Sequence, residues 1–120
     1  MQKSILIIGR QGSGKTTKAK EIASQFQNDE VVFIDYRWEI IQDDPFLFSE
    51  CTDKTKLVVF EGFYDINQVE TFFNAVSNPI NVNKKMKRPF TIQPKFVFVC
   101  QREIEELEAR FYRTFDIIEL

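Results

Sequence analysis

Apolar and polar positions alternate between two rhythms along the chain. Ser4-Ile5-Leu6-Ile7-Ile8 is a short β-branched run of the kind that forms a buried parallel strand. Ala19, Ile22, Ala23 and Phe26 then recur at helical spacing. Val31 to Ile34 make a second strand, ended by Asp35, and Leu57 to Phe60 a third, followed by Glu61-Gly62. Between them, Tyr36 to Lys56 is polar and irregular, is broken at Pro45 and has room for a short helical turn. Ile66, Val69, Phe72, Phe73 and Val76 mark one amphipathic helix, which Asn78-Pro79 ends. A basic loop follows, bounded by Pro89. Pro94 precedes a fourth strand, Phe96 to Cys100, which closes on Gln101. Ile104, Leu107 and Phe111 suggest one more helix, and Asp116 to Ile118 a last strand. The order β-α-β-β-α-β-α-β predicts a single α/β domain over residues 1–120, with a parallel sheet of about five strands covered by helices. Ligands of such sheets bind beyond the carboxyl ends of the strands. Gly9, Asp35, Glu61 and Gln101 stand at those ends.

The first of these ends carries the most specific chemistry. Gly9-Arg10-Gln11-Gly12-Ser13-Gly14-Lys15-Thr16 is G-x-x-x-x-G-K-[ST], the phosphate-binding P-loop, here between a strand and a helix. Backbone amides of Gly9, Gln11, Gly12, Ser13, Gly14, Lys15, Thr16 and Thr17 would cradle phosphate oxygens. Lys15 supplies a cation to the β- and γ-phosphates, and the Thr16 hydroxyl is a ligand for Mg²⁺. The plainer alternative is a glycine-rich turn before an ordinary helix. Three of the chain's four glycines fall in this loop, which weighs towards the phosphate cradle.

Composition adds mainly exclusions. Hydrophobic content of 43% and charged content of 28% are those of an ordinary globular domain. The thirteen phenylalanines sit mostly in apolar-periodic segments and read as core. A net charge of −2 gives no global signature for nucleic acid, so any such contact is local. Lys84, Lys85, Lys87 and Arg88 are the local candidate, against the commoner role of solvated surface. Two isolated cysteines, Cys51 and Cys100, and no histidine argue against zinc. Reduced thiols, no leader and no membrane-length apolar run point to a cytoplasmic protein.

Around the phosphates, Glu61 can bind Mg²⁺ opposite Thr16 or polarise an attacking water; its alternative is a strand-end carboxylate facing solvent. Gln101 can orient that water or sense the γ-phosphate; its alternative is a polar residue opening a loop. Arg110 and Arg113 precede the last strand, either as a solvated helix end or as an arginine finger reaching a neighbouring subunit.

With those residues placed, the chain resembles the AAA-type ATPases and, among them, superfamily 3 helicase cores, in a minimal form without a lid. The likeness runs over nearly the whole chain, although only the P-loop is highly specific. Gly9 to Thr16 match the family's first motif, and Val58-Val59-Phe60-Glu61-Gly62-Phe63-Tyr64-Asp65 resemble its acidic strand. Asn81 to Pro89 fall at its DNA-contacting loop and Pro94 to Gln101 at its sensor strand. Arg113 to Leu120 resemble the closing segment, which carries the finger role to Arg113. The resemblance implies a three-layer P-loop NTPase fold with strand order 5-1-4-3-2. It also implies ATP and Mg²⁺ as ligands, hydrolysis assisted by Lys15, Glu61, Gln101 and Arg113, and a homo-oligomer if the finger acts. The sequence departs from the pattern at three points: Gly62 stands where the family has a second acid, Gln101 where it has Asn, and Thr114 where it has a second Arg. Weak hydrolysis is therefore expected. Two other readings stay open. Gly12 to Thr17, Asp35 and Glu61-Gly62 also resemble a small nucleoside or nucleotide kinase, with Arg110 and Arg113 as lid arginines. A non-hydrolysing nucleotide-binding module is the third. Sheet order discriminates. The AAA-like arrangement puts the last strand and the Gln101 strand on either side of the P-loop strand, whereas the kinase arrangement puts the second strand there.

Overall fold

The computed structural model describes residues 3–35, 48–63, 66–84, 86–101 and 107–120. In chain order the elements are β1 (Ser4–Ile8), α1 (Lys15–Ala23), a 3₁₀ turn (Asn28–Glu30), β2 (Val31–Asp35), β3 (Leu57–Phe63), α2 (Ile66–Glu70), α3 (Phe73–Ser77), β4 (Ile80–Val82), β5 (Phe90–Ile92), β6 (Lys95–Cys100), α4 (Ala109–Thr114) and β7 (Phe115–Glu119). Five strands form one sheet in the order β2-β3-β6-β1-β7, with every neighbouring pair parallel. Counting only these five, the order is 5-1-4-3-2. β1 thus lies between the last strand and the strand that ends at Gln101, and β2 lies at the far edge.

Successive strand residues point to opposite faces, so each inner strand supplies both sides of the core. On one face Ile7, Leu57, Val59, Val97 and Val99 pack beneath Ala19, Ile22 and Ala23 of α1. The other face is aromatic. Phe60, Phe63, Phe96 and Phe98 meet Phe72, the hairpin residues Ile80 and Val82, and Phe111 and Phe115. Phe60 stacks on Phe98 at a centroid distance of 5.4 Å, and Phe115 meets Phe98 edge-on at 5.5 Å. Among the described residues, six phenylalanines are fully buried, as core residues should be. Each contributes roughly 1.5–3 kcal/mol relative to exposure. Phe33 is the exception, half-exposed on the edge strand β2.

Four features differ from the sequence reading. The helix expected through Val76 is two short ones. The Thr71 hydroxyl donates to the Gln68 carbonyl (2.6 Å), a bond that competes with helical pairing. Phe72 leaves helical geometry there and enters the core against Phe60, at 4.8 Å. Second, β4 and β5 form an antiparallel hairpin in the register Ile80↔Ile92 and Val82↔Phe90, so the basic segment is a hairpin loop. Third, β3 continues to Phe63 through an irregularity after Phe60. Fourth, Leu107 precedes α4, which starts at Ala109. Ile104, Pro45 and the segment 36–47 lie outside the described residues, as do Tyr64, Asp65 and Lys85.

The chain's final described residue returns to β1. The Leu120 amide donates to the Ile8 carbonyl at 2.9 Å, which sets Leu120 beside Gly9.

Candidate functional site

At the carboxyl end of β1 the chain turns through the glycine loop into α1. The Ser13 amide donates to the Arg10 carbonyl at 3.1 Å and closes the turn. Gly12 and Gly14 have φ of 81° and 94°, backbone that favours glycine, and both face open space. Conformation therefore requires glycine at these two positions. Gly14 is the N-cap of α1 and provides no side-chain cap, and the first turn of α1 has no acidic residue. The helix's amide end thus has neither a side-chain cap nor an acidic residue in its first turn.

Lys15 opens α1 yet is buried, 8% exposed. Its ammonium donates to the Arg10 carbonyl and lies 3.5 Å from Ser13 Oγ. Burial pushes its pKa below the ordinary 10.5, with Cys100 opposing in part. A cation kept in a desolvated place, folded back on its own loop, gains most from an incoming anion.

A cleft of about 510 Å³ opens over this loop. It brings together Gln11, Gly12, Gly14, Lys15, Thr16 and Thr17 with Glu61 of β3 and Gln101 at the end of β6. Gly9 and Ser13 do not line it; a Cβ at Gly9 would lie 2.6 Å from Ser13 Oγ and 2.9 Å from the Leu120 carbonyl oxygen. The Gln101 backbone amide donates to the Phe63 carbonyl at 2.7 Å, which fixes its backbone. Gly62 also lines the cleft, with φ of 94° inside the β3 irregularity. Any side chain at position 62 would have to adopt left-handed backbone, which favours glycine there.

Asp35 also lines the cleft. It pairs in register with Glu61 across β2 and β3. Asp35 was legible as a strand end, but its pairing with Glu61 depends on strand register. For Mg²⁺ the cleft offers the Thr16 hydroxyl and these carboxylates, hard oxygen donors that suit the ion alongside phosphate oxygens. Among the described residues, no group of three or more His, Cys, Asp or Glu could hold a metal by itself.

The remaining candidates lie elsewhere. Arg113 is exposed and lines a second cleft of about 500 Å³ with Lys3 and Lys95, at the amino end of the sheet. Since Phe115 pairs with Ser4, the length of β1, about 16 Å, separates Arg113 from the loop. Arg110 is committed to structure: its guanidinium donates to both oxygens of Glu70 (2.9 Å to Oε2) and pairs with Glu108 at 3.2 Å, joining α4 to α2. Lys84 is half-buried with its ammonium 6.0 Å from the Phe90 ring centroid, while Lys87 and Arg88 are exposed on the hairpin loop. Lys84, Lys87 and Arg88 do not line the cleft. Among the described residues, no helix is long and apolar enough to cross a membrane.

No family model and no curated protein sequence matches the chain. Among solved structures it is similar to the apo A form of the C-terminal region of NrS-1, with a TM-score of 0.67 and 17% sequence identity. That likeness covers 97% of this chain and 28% of the other, so the chain spans less than a third of its structural neighbour. At this identity the similarity is one of fold.

Proposed function

We propose that the chain is a P-loop NTPase domain of the AAA-like type, with the corresponding three-layer fold, which binds ATP with Mg²⁺ and hydrolyses it weakly. The observation that carries this reading is the loop itself: two left-handed glycines leading into an uncapped helix end, with a desolvated lysine beside them. Loop amides and Lys15 hold the β- and γ-phosphates, Lys15 exchanging the Arg10 carbonyl for phosphate oxygen. Thr16 and Glu61 hold the ion, which when bound neutralises charge on the phosphates. Gln101 orients the γ-phosphate and its attacker. Slow turnover follows from Gly62 in place of a second acid. Arg113, at the other end of the sheet, acts only across an interface to a neighbouring copy.

Sheet order supports the AAA-like reading over the kinase-like one, because β7 and β6 flank β1 and β2 does not. The exposed Lys87 and Arg88 support a subsidiary contact with DNA, which salt-dependent binding lost on neutralising them would test.

The deciding experiment is calorimetric titration with ATP and Mg²⁺, followed by phosphate analysis with and without a nucleoside panel. Lys15→Ala is expected to weaken ATP binding by roughly 10- to 100-fold. Unchanged affinity removes the P-loop reading. Phosphorylated nucleoside makes the protein a kinase, and binding with neither product makes it a non-hydrolysing module.

A further inference from the structure

We infer that the second cleft, at the amino end of the sheet, binds a phosphate monoester of about mononucleotide size. The inference stands apart from the P-loop reading and concerns the opposite rim of the sheet. Three neighbouring strands, β6, β1 and β7, begin at this rim. Each brings a cation to the cleft: Lys95 opens β6, Lys3 directly precedes β1, and Arg113 lies two residues before β7. Adjacent strands run about 4.8 Å apart, so the three cations start from neighbouring positions. Among the described residues, no Asp or Glu lines the cleft. Glu30, just before β2, is taken up by Lys56 at 2.7 Å.

The polar groups here are chiefly donors. The Lys3 ammonium donates to the Tyr112 carbonyl at 3.2 Å, and an ammonium has three protons to give. Ser4 lines the cleft and is only 5% exposed; its oxygen accepts from the Phe96 amide at 2.9 Å, which leaves its proton to donate. A wall of donors suits a group that only accepts. An Arg fork beside two ammoniums suits a phosphate dianion better than a singly charged carboxylate. α1 ends three residues before Phe26 and α3 ends at Ser77, so helix carboxyl ends also approach this cleft. Each amounts to at most about half a negative charge, against three full positive ones. The remaining wall is apolar, made by Phe26, Val76 and Pro94. At about 500 Å³ the cleft has room for far more than inorganic phosphate. The organic body of the ester lies against these side chains, with the half-buried Phe26 ring as a surface for a flat ring system. Arg113 then serves either this ligand or a neighbouring copy, not both at once.

The test follows backbone amide NMR shifts of the whole chain on titration with AMP, inorganic phosphate, adenosine and a poly-glutamate peptide. AMP is expected to move the amides of Ser4, Phe26, Ser77 and Lys95, in wild type and equally in Lys15→Ala. Phosphate and adenosine, the two halves of the probe, should each bind at least about 10-fold more weakly. Arg113→Gln and Lys95→Gln should each weaken AMP by roughly 10-fold, the loss of one charge-assisted contact. AMP shifts confined to the glycine loop overturn the second site and leave the P-loop reading standing. Unchanged AMP affinity in both variants overturns the role of the cations. Phosphate binding as tightly as AMP overturns the organic body, and tighter binding of poly-glutamate overturns the small ligand in favour of an acidic protein segment. AMP bound here in a protein that binds no ATP overturns the P-loop reading alone and supports this inference.

Discussion

The paired strands β2 and β3 meet their neighbours' charges very differently at their two ends. At the amino end, just before Val31 and Leu57, the Lys56 ammonium lies 2.7 Å from the Glu30 carboxylate, and the Lys56 amide donates to the Glu30 carbonyl at 2.8 Å. The Lys56 hydrogen bond and the Gln27 amide hold the Glu30 carboxyl below its usual range, and Glu30 raises Lys56 in return. At the carboxyl end of the same strands, Asp35 and Glu61 set two carboxylates in register beside the cleft. Opposite charges side by side support a sheet and like charges weaken it. One end of the strand pair is therefore arranged for stability. The other sets two carboxylates side by side on the wall of the cleft.

The largest test of this contrast is Glu61→Gln. Phosphate release should fall by roughly 100-fold or more, while ATP still binds and the thermal midpoint does not drop, because Glu61 faces the cleft rather than the core. A fall in midpoint without loss of turnover would break the contrast. Gly62→Ala comes next. It places a side chain on left-handed backbone beside Glu61 and should cost about 1–3 kcal/mol in urea denaturation. No cost would mean that the β3 irregularity does not fix how Glu61 is presented.

Lys15 gives a subtler effect. Its folded pKa is lowered, so the unfolded chain holds the proton more tightly, and raising the pH towards 10.5 favours the folded state through this group. Bound phosphate reverses the shift. ATP binding at alkaline pH should then take up at most about one proton per nucleotide, read by calorimetry in buffers of different ionisation enthalpy. Lys15→Arg, always charged, should take up none. Lys56→Ala gives the smallest effect, a slight loss of thermal midpoint at neutral pH. Because the Glu30 pKa is lowered, its contribution is full above 4.5 and fades as pH falls through the folded value. Because that of Lys56 is raised, its contribution holds below 10.5 and fades above its folded value. The midpoint difference between Lys56→Ala and wild type should shrink at both extremes and in high salt.

Much of this architecture was legible from residue order. The runs Ser4–Ile8, Leu57–Phe60 and Phe96–Cys100 are apolar on both faces because helices or aromatic side chains cover both sides of the sheet, and such runs announce a parallel strand. The glycine loop was legible because its turns at Gly12 and Gly14 take positive φ, backbone that favours glycine. Ile80-Asn81-Val82 and Phe90-Thr91-Ile92 were missed because three residues carry too little alternation to distinguish a strand from a loop. The break at Phe72 was hidden because apolar periodicity runs unbroken through α2 and α3. Gly62 read only as an absent acid, since a positive φ leaves no mark in composition. The partnership of Asp35 and Glu61 joins residues far apart in sequence and is a property of register alone.

The bond between the Leu120 amide and the Ile8 carbonyl has a practical side. It fastens residue 120 against Gly9, at the root of the loop that would grip phosphate. An environment-sensitive dye coupled at Leu120→Cys would sit beside the start of that loop. Its emission would serve as a built-in gauge of nucleotide occupancy, while the same dye at Lys3→Cys, on the opposite rim of the sheet, would stay dark to ATP.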